Sequence, residues 1–186
     1  MAKLHVDEIF DGITELPAGN FEGCAFTNCS FTGADFSGVS FEDCRFSDCD
    51  LSNVRLAETA MKPVWLANCK LIGLHFDDCG DFLFAIHCAG CQLELSTFRE
   101  RDLRRSTFMN SQLIEVDFTG ADLQEVAFEN CDLNRSTFER TDLRKADFST
   151  ARNYQLSPED NRLRGAKFSS DGLAGLLTDY GIVVEG

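Results

Sequence analysis

Large apolar residues recur at every fifth position along most of the chain. Neither an α-helix, with 3.6 residues per turn, nor a β-strand, with a period of two, produces this spacing. A coil that turns a corner every five residues does, if each side buries its central residue. The first run of central residues is Phe21, Phe26, Phe31, Phe36, Phe41, Phe46, Leu51, Leu56, Met61, Leu66, Leu71 and Phe76. The second run is Leu83, Cys88, Leu93, Phe98, Leu103, Phe108, Leu113, Phe118, Leu123, Phe128, Leu133, Phe138, Leu143 and Phe148.

A second period of 20 residues indicates that four sides make one turn. Small residues lie two positions before the central ones, and one such column reads Cys29, Cys49, Cys69, Cys91, Ser111 and Cys131. This column stays in register only if two extra residues form a bulge near 77–81. The pattern therefore predicts an all-β solenoid whose coils stack at about 4.8 Å. It places Leu83 at the centre of a side and predicts that Cys79, in the bulge, is the thiol exposed to solvent.

Both ends of such a stack need covering, because an open coil exposes apolar residues and unpaired backbone groups. The expected division is an N-terminal cap over 1–18, repeats over 19–153 with a register break near 77–82, and a C-terminal cap over 154–186. Ser169 or Ser170 is predicted to open a helix over about 170–179, which Gly181 ends before a short strand over 182–184.

The apolar residues of this C-terminal segment allow two interpretations. They either cover only the last coil or also form a two-fold dimer interface. The residues concerned are Leu173, Leu176, Leu177, Tyr180, Ile182, Val183 and Val184.

The composition favours a cytoplasmic protein with buried, reduced thiols. The chain has nine Cys, and its first residues contain no apolar export signal. No run reaches the roughly 18 apolar residues of a membrane span. The formal charge of −14 argues against direct binding to nucleic acids or to anionic membranes, since both need clustered Lys and Arg. A basic partner is compatible with this charge.

The charge is uneven along the chain. Residues 1–98 hold 15 acids and five bases. The acids predicted to face outward and bind a basic partner are Glu22, Glu42, Asp43, Asp48, Asp50, Glu58, Asp77 and Asp78. Asp residues directly before a central position are instead expected to accept hydrogen bonds from turn backbone. These are Asp35, Asp50, Asp102, Asp117, Asp122, Asp132, Asp142 and Asp147.

Catalytic chemistry has little support in the sequence. Cys88 and Cys91 form a CxxC beside His87, but there is no second pair, and Cys91 belongs to the interior column. We therefore expect no enzyme activity, no catalytic residue, no metal and no cofactor. Trp65 is expected to point outward, where it either marks a contact patch or is an ordinary isolated aromatic. Bases of the second half are expected to balance neighbouring acids such as Asp102 and Asp142 on the coil surface: Arg101, Arg104, Arg105, Arg140, Arg144 and Lys145.

The five-residue unit resembles the motif A(D/N)LXX of the pentapeptide-repeat proteins. Two segments match it directly, Ala121-Asp122-Leu123-Gln124-Glu125 and Ala146-Asp147-Phe148-Ser149-Thr150. The resemblance implies a right-handed quadrilateral β-helix. The tail from Asn153-Tyr154 to Phe168-Ser169, with its Gly-Leu-Leu and Gly-Ile-Val-Val-Glu segments, is similar to that of the albicidin-resistance and microcin B17-immunity members and comparable to that of the Qnr and MfpA members.

The resemblance of the tail implies a function. In those relatives the tail makes a head-to-head dimer that mimics B-DNA, occupies the DNA-binding saddle of DNA gyrase and protects this type II topoisomerase from poisons. Gram-negative Qnr members carry extended loops that matter for quinolone protection, whereas this chain has only the two-residue slip, so it resembles the loop-poor members more. The alternative is a repeat scaffold for some other protein partner.

Overall fold

The computed structural model, which describes residues 3–182, is a right-handed quadrilateral β-helix and confirms the predicted fold class. Nine of its strands form one parallel sheet and two form another. The strands are β1 Leu4–Val6, β2 Ile9–Asp11, β3 Asn20–Glu22, β4 Ala25–Thr27, β5 Ser40–Ser47, β6 Ala60–Ala67, β7 Ile86–Ala89, β8 Thr107–Met109, β9 Phe128–Glu129, β10 Asp147–Phe148 and β11 Lys167–Phe168.

Residues 20 apart lie in register on successive coils, so the central residues form four buried columns. Phe41 pairs with Phe21 and with Met61, and Phe46 pairs with Phe26 and Leu66. Phe rings stack along these columns, with centroids 4.5 Å apart for Phe26 and Phe46. We number the sides by their first central residues: face 1 begins with Phe21, face 2 with Phe26, face 3 with Phe31 and face 4 with Phe36.

The corners between faces use left-handed backbone two residues after a central position. Asn28, Asp48 and Asn68 stack at one corner with φ of 54°, 56° and 54°. Short polar side chains tolerate this conformation better than other non-glycine residues, which explains the Gly, Asn and Asp that recur there. Corners therefore determine part of the surface composition independently of any partner.

The register break is a loop that leaves the coil and returns, and two expectations about it are wrong. Cys79 is only 6% exposed because it keeps the interior position. Leu83 does not occupy the central position, since its φ is 58° and it is 46% exposed, and Phe84 is buried in its place. The extra length is absorbed by the segment 80–83, which projects Phe82 into solvent at 71% exposure.

Arg101 holds this loop from inside the coil, so the expectation of a surface position is also wrong for this residue. It lies two positions before Leu103, where neighbouring coils carry small residues, and is 3% exposed. Its guanidinium donates to the carbonyls of Phe76, Asp77 and Cys79 at 2.6–2.9 Å and to the Asp81 carboxylate at 2.6 Å. The extra residues of the loop create the space that this long side chain fills.

At the N-terminal end, β1 and β2 pair with β3 and β4 at an offset of 16 residues. The ring of His5 stacks on Phe21 at 4.9 Å, and Phe10 stacks on Phe26 at the same distance. These rings cover the first coil. The limits of the cap, repeat and C-terminal segments remain predictions.

At the C-terminal end, the expected helix over 170–179 is replaced by two 3-10 helices, Leu173–Leu176 and Thr178–Tyr180. The carbonyl of Gly175 accepts the amide of Leu156 at 3.1 Å, which ties the segment to the last coil. Two glycines in one turn also disfavour an α-helix. Gly181 is left-handed, as the predicted helix end required, and the predicted strand over 182–184 lies mostly outside the described residues.

Candidate partner-binding surface

Five of the eight predicted outward acids lie together on one side of the solenoid. Glu22 and Glu42 are register partners on face 1, and the three others lie at the corners that border this face. We call this group the acidic side; it consists of Glu22, Glu42, Asp43, Glu58 and Asp78, all exposed. Glu100, which the sequence analysis did not include, extends the group at the corner of the next coil.

The carboxylates of the acidic side are unpaired. Among residues 3–182, none of the five forms an ion pair, whereas other acids of the first half do, such as Asp35 with Arg55 at 2.8 Å. Glu22 and Glu42 lie directly opposite each other, an arrangement in which like charges are destabilising. Lys62 follows Glu42 in the same column and ends the run of acids. A basic partner would relieve this repulsion.

The three remaining predicted acids lie elsewhere and have other partners. Asp48 is at the corner between faces 2 and 3 and accepts from Asn68 Nδ2 at 3.3 Å. Asp50, on face 3, accepts from the amide of Ser52 at 3.0 Å and lies 3.8 Å from Lys70 Nζ. Asp77 is half-buried and accepts from the Thr97 hydroxyl. The predicted set is thus not a single surface.

The Asp residues directly before a central position have the predicted structural role. Each of the eight accepts a hydrogen bond from the amide two residues later, over 2.8–3.3 Å. In Asp147, bonds from the hydroxyl and amide of Ser149 lower the carboxyl pKa to about 2. These carboxylates stabilise the turns, so they are poorly placed to bind a partner as well.

Half of the twelve bases in residues 99–186 pair with these turn acids, which confirms the expected balance around Asp102 and Asp142. Arg104 donates to Asp102 at 2.6 Å, and Arg144 donates to Asp142 at 2.7 Å. Arg162 adds a second contact to Asp142 at 3.4 Å. Face 1 is therefore acidic near its N-terminal end and ion-paired, with an excess of bases, near its C-terminal end.

The predicted dimer residues divide into two groups. Leu173, Tyr180 and Ile182 are exposed at 48%, 48% and 54%. Leu176 and Leu177 are half-buried, and Leu176 packs against the core. Val183 and Val184 lie outside the described residues. Only the first group offers a free apolar surface.

The thiols are positioned as structural residues. All nine Cys are buried, and burial raises the pKa of Cys44 to about 11 and that of Cys79 to about 12. Over the residues that the structure describes, no group of three or more His, Cys, Asp or Glu residues could hold a metal ion. The same stretch contains no helix with the length and apolar character needed to cross a membrane.

The fold and its repeats place this chain in a class of solenoids built from five-residue units. A family model described as "Pentapeptide repeat region" matches residues 19–80 and 83–156, on either side of the break. The chain belongs to the pentapeptide-repeat family. A search of curated protein sequences finds no match.

Solved structures of other family members are similar in fold. QnrB1, a plasmid-mediated fluoroquinolone resistance protein, is 20% identical over 97% of this chain and 100% of its own, with a TM-score of 0.46. HetL, involved in heterocyst differentiation regulation in the cyanobacterium Nostoc sp. strain PCC 7120, is 16% identical over 89% of this chain and 84% of its own, with a TM-score of 0.50.

Proposed function

We propose that this protein is a non-enzymatic, cytoplasmic mimic of double-stranded DNA that binds DNA gyrase, a type II topoisomerase, and protects it from a drug or toxin. The observation that supports it is the acidic side, where exposed carboxylates repeat along one side of a rod without cationic partners. The identity of the partner and the protective role come from the resemblance of the tail to gyrase-protecting members of the family.

The physical basis is competition for a basic groove. Duplex DNA is held largely through its phosphates, and its affinity falls steeply as salt is added. Carboxylates spaced at about 4.8 Å along a rigid stack present a similar row of negative charge to the same Lys and Arg side chains. Binding of this protein to gyrase should therefore exclude DNA and weaken with ionic strength.

Charge-reversal variants test this proposal. Changing Glu22→Lys and Glu42→Lys together should abolish competition with a fluorescent DNA duplex for gyrase, as measured by anisotropy. Both residues are exposed and extended, so the variant should fold. The control is Glu139→Lys with Asp160→Lys, which makes the same change in net charge at exposed positions of the C-terminal half. Equal competition by both variants would refute binding through the acidic side.

We further propose that the C-terminal segments of two copies pair to form a homodimer. Leu173, Tyr180 and Ile182 expose apolar surface at the end of the rod, where two copies can meet about a two-fold axis. Leu173→Asp should convert the dimer to a monomer in light scattering. This residue is better suited than Leu176, because a charge at Leu176 would also disturb the core. A Leu173→Asp variant that remains dimeric would contradict this interface.

An interaction scaffold with a different partner is the second candidate. It is favoured by the C-terminal half of face 1, where Arg104, Arg144 and Arg162 surround the turn acids. Cations at these positions would repel a basic DNA-binding groove, so they do not suit a mimic of DNA. If the wild-type protein does not displace DNA from gyrase, the scaffold function replaces the first proposal.

A further inference from the structure

One flat side of the molecule carries a stack of one exposed cation and two half-buried aromatic rings. Arg45, Trp65 and His87 are register partners on β5, β6 and β7, and all three point outward from face 2. The Arg45 Cζ atom lies 5.0 Å from the Trp65 ring centroid, and the Trp65 and His87 rings stack at 5.4 Å. His87 Nδ1 lies 3.0 Å from the Thr107 hydroxyl, which fixes the His87 end of the stack.

The strands of face 2 that carry this stack present no outward carboxylate between Asp11 and Glu129. Between Asp11 and Glu129, the side chains that face outward from the strands of face 2 are neutral except for Arg45. We call these residues the neutral face; they are Ala25, Thr27, Arg45, Ser47, Trp65, Ala67, His87, Ala89, Thr107, Met109 and Ala127. Burial lowers the pKa of His87, which keeps its ring uncharged at neutral pH. Such a surface is unexpected on a chain with a formal charge of −14.

The fold accepts other side chains at these outward positions. The interior residues between them, among them Phe46, Leu66 and Cys88, form the core beneath this face. At the equivalent outward position of face 4, the chain has Asp35, Arg55 and His75, which support the same fold with polar groups. The single Trp, half-buried, and Met109, 42% exposed, thus stand at positions where the repeat itself does not demand an apolar residue.

Four acids and one cation lie at the border of the neutral face, the cation being Arg105, which holds the corner position that Asp43 has on an earlier coil. Asp43 and Asp48 lie at its two corners beside Arg45, and Asp11 and Glu129 lie at its two ends. Asp43 also belongs to the acidic side, so the two surfaces are continuous around one corner. Interfaces between proteins commonly have an apolar centre with Trp, Met and Arg inside a polar rim.

From this arrangement we infer that the neutral face is a protein-docking surface and that its partner presents a flat apolar patch rimmed by Lys and Arg. The inference rests on the proposed function, because the same gyrase that meets the acidic side would contact the neutral face around the corner at Asp43. Trp65 and Arg45 are the anchors. The acids repel nucleic acid phosphates, and Arg45 is the single cation among the outward side chains, so base stacking on Trp65 is disfavoured.

The single Trp allows a direct test on the folded wild-type chain. Biosynthetic replacement by 5-fluorotryptophan gives one fluorine NMR signal, which reports on Trp65 alone. Adding unlabelled gyrase holoenzyme should change the chemical shift of this signal, beyond the broadening that any large complex causes, and adding a short oligothymidylate should leave the shift unchanged. Binding of gyrase is measured separately by sedimentation in the same samples.

A variant pair gives the energetic test. Arg45→Thr with Trp65→Thr should weaken gyrase binding at least about tenfold, as expected for anchor residues. Thr already occupies this outward column at Thr107, so the change suits the strand. The matched control is Arg55→Thr, which removes one cation at the same position of the repeat on face 4 and should leave the affinity unchanged.

The outcomes separate the two proposals. If gyrase binds but neither the fluorine chemical shift nor the affinity of the Arg45 and Trp65 variant changes, the docking surface is wrong and the DNA-mimic function stands. If gyrase does not bind the wild-type protein, both fail. A fluorine signal that responds to oligothymidylate would overturn the inference in favour of a nucleic-acid ligand.

Discussion

Arg101 occupies a position at which neighbouring coils have small side chains, Ala121 and Thr141 among them. Its buried guanidinium donates to the carbonyls of Phe76 and Cys79, and the Phe76 carbonyl also accepts the Cys79 amide at 3.1 Å. The ring of Phe84 lies 4.8 Å from the Arg101 Cζ atom and closes the site on the interior side. A single residue therefore makes the two-residue insertion compatible with a continuous core.

Replacing this residue should destabilise the whole rod. We expect Arg101→Met to lower the free energy of unfolding by about 3 kcal/mol, since it leaves buried carbonyls unsatisfied. Urea denaturation measures this. The control Arg99→Met removes an exposed cation 3.7 Å from Asp117 and should cost less than about 0.5 kcal/mol. Equal losses for the two variants would show that Arg101 does not hold the loop.

The sequence locates this break but cannot resolve its path. The slip in the Cys column shows that two residues are inserted, whereas Leu83 and Phe84 are both apolar neighbours and either one suits a central position. Whether Leu83 or Phe84 takes the central position depends on the left-handed backbone at Leu83 and on the buried guanidinium of Arg101. The sequence contained one sign of the buried cation, because Arg101 lies two positions before the central Leu103, where the repeat places an interior residue. We assigned Arg101 to the surface because charged residues are rarely buried.

At the scale of elements, the C-terminal segment depends on two close backbone approaches. A Cβ atom on Gly175 would lie 2.1 Å from the Tyr154 carbonyl oxygen, and one on Gly172 would lie 1.8 Å from the Tyr154 hydroxyl. The spacing of Leu173, Leu176 and Leu177 predicts an apolar helical segment, which the structure contains. It also predicts an α-helix, whereas the segment forms two 3-10 helices. The contact with Tyr154 joins residues about 20 apart and has no local signature.

Gly175→Ala should detach this segment from the last coil. The added methyl group forces the backbone away from Tyr154, which breaks the hydrogen bond from the Leu156 amide to the Gly175 carbonyl. Exchange of the Leu156 amide hydrogen should accelerate at least tenfold, measured by NMR. Gly80→Ala is the control, because its Cβ would meet the nearest atom at 3.8 Å, and the Leu156 rate should not change. An unchanged rate in Gly175→Ala would contradict the contact.

At the scale of the whole molecule, charge is sorted by face as well as by position along the chain. Period and motif predict which acids point outward and which ones, such as Asp142, bind turn backbone. They do not show which outward acids share a face unless the four columns are followed across the coils. The predicted set therefore mixes Glu42 of the acidic side with Asp48 and Asp50 of other faces, and only the stacked structure separates them.

The proposed DNA-mimic function requires that the acidic side compete with DNA for gyrase. The most direct measurement is a gyrase supercoiling assay in which the purified protein is titrated with and without a gyrase poison. We expect the wild-type protein to inhibit supercoiling at micromolar concentration or to rescue it from the poison, less so at high salt, and the variant with Glu22→Lys and Glu42→Lys to do neither. A wild-type protein without effect in either arm would contradict the account and direct the search to another protein partner.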